Sequence, residues 1–185
     1  SFDDMGSKFD HEGNLNNWWT EEDKRKFDKK SQYFIDEYGK LTVNCKNVNG
    51  ELTLGENLAD HGGVKISYYA LKKQLEKING VDKIINGMTQ NERFFVSWAT
   101  VWRTNIRPEE ADKRIRTDPH SPNEWRINAT LANIPEFHQT YNLLSFEYQE
   151  SLLNIVLFFY SLHKQKVFLN FLSPPLNHFP VFVCE

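Results

Sequence analysis

Glu56-Asn57-Leu58-Ala59-Asp60-His61-Gly62-Gly63 opens the stretch whose reading decides the fold. Continued to Ile78, it predicts a long helix over about 56–78, closed by Asn79-Gly80, a pair suited to a helix C-terminus. Positions i and i+4 of a helix share a face, so Glu56 and Asp60 point the same way. A carboxylate is a proper zinc ligand, and a second one a turn away could orient a ligating histidine through its other ring nitrogen. The same spacing also fits a solvated acidic helix face. Glycine inside a helix costs about 1 kcal/mol against alanine, so Gly62-Gly63 predicts close approach by another element.

Working outward, the first 142 residues read as mostly helical. Asp10 to Asn17 is polar and glycine-containing and reads as a loop. Thr20 followed by Glu21-Glu22-Asp23 predicts an N-cap with an acidic first turn, which suits the helix dipole. Phe27, Phe34, Ile35 and Tyr38 then recur at helical spacing. Asn49-Gly50 marks a turn, and Glu51 to Leu54 reads as a short extended piece. Thr89-Gln90-Asn91-Glu92 matches a capping box, with Phe94, Phe95, Trp98, Val101 and Trp102 following on one face. Pro108 and Pro135 each sit where a first helical turn begins. Trp125, Ile127, Ala129 and Leu131 alternate with Arg126, Asn128 and Thr130, which predicts a half-buried strand.

The length of 185 residues fits one domain or the larger part of one. Hydrophobic residues at 39% and aromatics at 14% supply ample core and argue against disorder. A formal charge of -3 offers no basic field to hold phosphates, which speaks against nucleic acid as a partner. Two cysteines, Cys45 and Cys184, fall short of a disulfide framework; they fit one bridge or two thiols equally well. No run reaches the roughly 18 to 20 apolar residues of a membrane span, so no membrane contact is expected from this segment itself. No signal peptide is visible either, and the start without Met suggests a piece of a longer protein. Composition shifts near residue 143: all nine Gly lie before it, and seven of fourteen Phe lie after it. That contrast predicts a domain over 1–142 and a separate apolar tail over 143–185.

A second candidate for chemistry is Asp118-Pro119-His120-Ser121-Pro122, shortly before Arg126. Proline on both sides fixes the loop, and Asp118 could hold the imidazole of His120. A cationic histidine and an arginine could together stabilise an oxyanion and grip a peptide carbonyl. An ordinary polar loop is the plain alternative. His11, His61, His138, His163 and His178 form no ligand spacing, and no HExxH occurs. Asn128-Ala129-Thr130 is a glycosylation sequon, placed by this reading in a partly buried strand.

Together these pieces resemble the neprilysin family of zinc metalloendopeptidases. Gly55 to Gly63 resembles its GENxADxGG segment, and Trp18-Trp19-Thr20 its WWT block. Val101-Trp102, Arg107-Pro108-Glu109, Asp118 to Pro122 and Pro135-Glu136-Phe137 resemble its VW, RPE, D-x-HSP and PEF blocks. The blocks keep the family's order and spacing over residues 2 to about 142. The resemblance implies a mainly α fold with minor β, the C-terminal part of a thermolysin-like catalytic domain. It implies Glu56 as a zinc ligand and Asp60 as the group orienting a zinc-bound histidine. It implies His120 as the stabiliser of the tetrahedral intermediate, supported by Asp118, and Arg126 as the binder of the substrate backbone. Val101 and Trp102 would line the S1′ pocket, and Asp3 and Asp4 could stand behind the metal ligands.

The resemblance further implies one Zn2+ in the intact enzyme, with its two histidine ligands absent from this chain. Ser1-Phe2-Asp3-Asp4 resembles the segment just after the family's HExxH. It implies peptide and small-protein substrates, cut before hydrophobic residues, and an isolated chain that is inactive. For location it implies a plasma-membrane ectodomain or secreted protein, with a bacterial-type intracellular or periplasmic one as the alternative. Vertebrate members carry cysteines where this chain has Tyr33, Arg103 and Leu143, so it is closer to the cysteine-poor branch. After Asn142 nothing matches, which suggests an aberrant C-terminus. A non-catalytic peptide- or partner-binding module from a truncated gene product is the rival reading.

Overall fold

The computed structural model describes residues 5–80 and 83–143. The tail expected over 143–185 therefore lies, from residue 144 on, outside the described residues, as do Asp3, Asp4 and Cys184. The described chain is mainly helical with one small hairpin: α1 (Glu21–Gly39), β1 (Thr42–Val43), β2 (Lys46–Asn47), α2 (Leu54–Lys77), α3 (Gln90–Val101), α4 (Pro108–Thr117), α5 (Asn123–Ala132) and α6 (Pro135–Thr140). The expected mainly α fold with minor β is what the chain forms. It divides into two compact units, Ser1–Lys65 with Thr104–Arg126, and Ile66–Arg103 with Ile127–Glu185.

The first unit begins with α1, whose expected cap is present: the Thr20 side chain accepts from the Asp23 N–H at 3.1 Å. Tyr38, on the helix's inner face, is almost fully buried. The β1–β2 hairpin pairs Thr42 with Asn47 and Val43 with Lys46. Its two turn residues, Asn44 and Cys45, both have positive φ (48° and 61°), as a two-residue turn matched to strand twist requires. Asn44 donates to Asp112 of α4 at 3.1 Å, and Lys46 pairs with the same carboxylate. Those two bonds, the Lys46 one foremost, hold Asp112 below the usual carboxylate range. Gly50 lies so close to α1 that a Cβ there would stand 2.1 Å from the Ile35 carbonyl oxygen.

Here the structure corrects the expected extended piece at Glu51 to Leu54. The Leu52 N–H donates to the Asn49 side chain and the Thr53 N–H to the Asn49 carbonyl, both at 3.0 Å, so the chain coils directly into α2. An Asn side chain that satisfies a backbone N–H nearby favours a turn over a strand.

The second unit is built around aromatic rings. Phe95 of α3 stacks on Tyr68 at 5.6 Å and meets Phe137 of α6 edge-on at 5.2 Å; Phe94 and Tyr141 complete the cluster. Burial, with a contribution from the Glu92 charge, pushes the Tyr141 hydroxyl up to about 12. The capping box expected at Thr89 and Glu92 is formed in both directions. The end of α2 matches the expected Asn79-Gly80 stop: Asn79 takes φ 50°, its N–H bonds to the Glu76 carbonyl, and the Gly80 N–H to that of Leu75.

The expected strand around Trp125 to Leu131 is a helix, α5. Arg126 is buried one turn before Ala129, Thr130, Leu131 and Ala132, so the interior holds one face of its first turns and nearly the whole of its end. The apparent alternation does not track burial, because two of its polar members, Arg126 and Thr130, are buried. The sequon Asn128-Ala129-Thr130 therefore lies in a helix, with Thr130 wholly buried. The expected close approach at Gly62-Gly63 is also corrected. Both are exposed, and among the described residues a Cβ on either would meet nothing within 4 Å.

Candidate active site

The first turns of α2 and the segment from Asp118 to Arg126 meet within the first unit. Both are shaped locally before they meet. On one side, the Asn49 side chain and carbonyl start α2. On the other, α4 ends at Thr117, and the Asp118 N–H still bonds back to Arg114 at 2.8 Å. Pro119 then breaks the helix. The Asp118 carboxylate turns toward His120, accepting from its backbone N–H at 2.9 Å and lying 2.8 Å from its Nδ1. Burial opposes ionisation of Asp118, but the His120 amide, ring and charge outweigh it, and the carboxyl lies below its usual range. A carboxylate only accepts hydrogen bonds, so Nδ1 carries a proton toward Asp118.

The other nitrogen, Nε2, lies 3.2 Å from Oε2 of Glu56. His120 and Glu56 side chains are both about two-fifths exposed, at 44% and 41%, so water reaches the pair. Below them the contacts are buried. The Ser121 hydroxyl donates to the Asn57 side-chain oxygen at 2.7 Å. The Asn57 amide donates to the Thr53 hydroxyl at 3.0 Å, and that hydroxyl donates to the Asn49 carbonyl at 3.0 Å. One turn further along α2, Asp60 receives Nε and Nη2 of Arg126, each at 2.7 Å. Both members of this ion pair are nearly buried, and the paired geometry is the strong planar form open to arginine.

The structure thus brings Glu56, Asp60, Asp118, His120 and Arg126 into one cluster. Val101 and Trp102 belong to the second unit, at the end of α3, where Trp98 and Trp102 meet edge-on at 5.7 Å. Sequence reasoning did not foresee that Asp60 and Arg126 bind each other, nor that Thr53, Asn57 and Ser121 form a buried chain. Asn57 did carry a signal: an asparagine inside a helix is unfavourable unless its side chain finds a partner. The Asp60–Arg126 pair carried none, because 66 residues separate its members.

His61 lies behind this face. Its Nε2 is 3.3 Å from the Tyr38 hydroxyl, and its ring meets Phe34 edge-on at 4.8 Å. Burial lowers its pKa to about 4, so it is neutral at pH 7.

The model of peptidase family M13 matches residues 1–147. The chain belongs to peptidase family M13. Endothelin-converting enzyme 1 of Bos taurus is 38% identical over 144 residues, 77% of this chain and 19% of that protein. Neprilysin-11 of Caenorhabditis elegans is 41% identical over 145 residues, 76% of this chain and 17% of that protein. Among solved structures, the Mycobacterium tuberculosis zinc metalloprotease Zmp1, in complex with an inhibitor, superposes with a TM-score of 0.71 at 37% identity. That match covers 77% of this chain and 22% of Zmp1. The chain therefore spans about a fifth of the length of the relatives it matches. The resemblance to this family expected from the motifs is confirmed.

As a test of fit to zinc, the donor chemistry is suitable at Glu56, a half-exposed carboxylate at the mouth of the cluster. Among the described residues no three His, Cys, Asp or Glu side chains gather as a metal cage. Among them, too, no helix is long and apolar enough to cross a membrane.

Proposed function

We propose that this chain carries one side of the active site of a zinc metalloendopeptidase, with the remaining metal donors supplied from sequence outside it. The observation that supports this most is Glu56 Oε2 standing 3.2 Å from His120 Nε2, with Asp118 behind the ring. In this reading Glu56 is a zinc ligand. When bound, zinc supplies Lewis acidity toward a peptide carbonyl and a water-derived nucleophile at neutral pH. His120, its Nδ1 proton held by Asp118, presents its other edge to the oxygen that gains charge as the carbonyl becomes tetrahedral. Asp60 fixes the plane of the Arg126 guanidinium, and Arg126 binds the substrate backbone. Asp60 also orients a metal-bound histidine, and Val101 and Trp102 line the pocket for a hydrophobic side chain. The substrates are peptides and small proteins cut on the amino side of hydrophobic residues.

The described residues supply too few donors to hold zinc, and on this reading the chain alone hydrolyses nothing. The test is cleavage of a peptide with one internal hydrophobic residue, by the chain alone and by the chain extended upstream through an HExxH segment. The extended protein should cleave before that residue and stop with a chelator or with Glu56→Gln. His120→Phe should lower kcat by about 10²- to 10³-fold, the loss typical of one oxyanion donor. Cleavage by the chain alone, or undiminished cleavage by Glu56→Gln, would contradict the reading.

A further inference from the structure

We propose that Asn57 and Ser121 are positioning residues that hold the His120 loop on α2 beside Glu56; this rests on the roles proposed for Glu56 and His120 in the peptidase site. Asn57 is next to Glu56 in α2, and Ser121 is next to His120 in the loop, so the bond between them ties the immediate neighbours of the two site residues. It is short, 2.7 Å, and both partners are almost fully buried. Water cannot replace it there, and a buried polar atom without a partner is costly. The Glu56–His120 contact, by contrast, lies open to solvent, where an ion pair alone fixes geometry poorly.

Thr53 completes the device. Its hydroxyl accepts from the Asn57 amide, so the Asn57 oxygen is the atom turned to Ser121. The link therefore runs from the turn that starts α2, through Thr53 and Asn57, to the loop that carries His120. Asp118 sets the ring's rotation through Nδ1 and the His120 amide. Ser121 sets where the loop backbone sits on α2. A carboxylate and an imidazole from elements 64 residues apart in the chain need both constraints to keep one geometry.

The test uses the isotope-labelled 185-residue chain and reads the χ1 rotamer of His120 from three-bond couplings. The chain should show one dominant rotamer. Ser121→Ala and Asn57→Ala should each weaken that preference about five-fold, as loss of one net hydrogen bond supports. The double variant should do no more than either single one, because both remove the same bond. A merely structural role would lower the thermal midpoint and leave the rotamer preference unchanged. If an alanine variant does not fold, Thr53→Val, which removes the hydroxyl's bonds to the Asn57 amide and the Asn49 carbonyl, gives the same readout and the same expected direction. An unchanged His120 rotamer in a folded variant, or additive losses in the double variant, would overturn the proposal. The readout needs neither zinc nor substrate, so the peptidase reading fails on cleavage and this link fails on rotamers.

Discussion

The two units of this chain solve the burial problem in opposite ways. The interior of the second is aromatic, with Tyr68, Phe94, Phe95, Phe137 and Tyr141 meeting ring to ring. The first buries Thr53, Asn57, Asp60, Ser121 and Arg126 beside its apolar residues. A ring cluster holds elements together through area and shape and tolerates small shifts. A buried polar chain tolerates none, since each atom displaced from its partner loses more than a hydrogen bond contributes. The unit that carries the candidate site is the one whose interior fixes direction as well as distance.

The sharpest way to break this contrast is truncation on each side of it. Asp60→Ala leaves Arg126 charged and buried and should cost about 3–5 kcal/mol in chemical denaturation. Phe95→Ala should cost a similar amount, about 3–5 kcal/mol, by leaving a cavity among the rings. The two losses differ in how they are relieved. Arg126→Met added to Asp60→Leu should recover most of the first, because an apolar pair can replace a buried ion pair. If the double variant is as unstable as Asp60→Ala, the unpaired Arg126 charge is not what causes the loss.

Acid sharpens the comparison further. His61 belongs to the first unit and titrates near 4 when folded, below the ordinary 6.5. The unfolded chain therefore takes up the proton first as pH falls, so stability is complete above about pH 7 and is lost progressively toward pH 4. Between pH 7 and pH 5 the loss should be about 2 kcal/mol, and His61→Gln should flatten it. A denaturation series over that range in both proteins checks this, and an identical slope would assign the loss to other groups. In the second unit, Thr89→Ala removes the capping box of α3 and should cost about 1 kcal/mol. Smallest of all is Lys24→Ala on α1. Its exposed partner is Asp28, and the thermal midpoint should stay within experimental scatter.

Legibility in the sequence depends on the range of the interaction concerned. Helix starts at Thr20, Thr89, Pro108 and Pro135, and the Asn79-Gly80 stop, depend on neighbours within a turn, and all were readable. The strand pattern at α5 fails because two of its polar residues, Arg126 and Thr130, are buried. Arg126 looks like an outward polar residue until its partner Asp60 is known, and that partner is remote in the chain. Glu51 to Leu54 was misread because the Asn49 side chain, rather than the residues themselves, decides its course. The motifs single out Glu56, Asp60, Asp118, His120 and Arg126, and the structure brings these five together. Their pairing could not be read from the motifs, and neither could the Thr53–Asn57–Ser121 chain, since spacing does not encode which distant side chains meet. Gly62-Gly63 has no explanation in the described residues.

The most direct test of a divided zinc site is zinc per chain, by metal analysis after dialysis, for the chain alone and extended upstream through an HExxH segment. Near-zero zinc is expected for the chain alone and about one for the extended protein, with most of it lost in Glu56→Gln. About one zinc on the chain alone, or undiminished zinc in the extended Glu56→Gln protein, would contradict a site divided in this way.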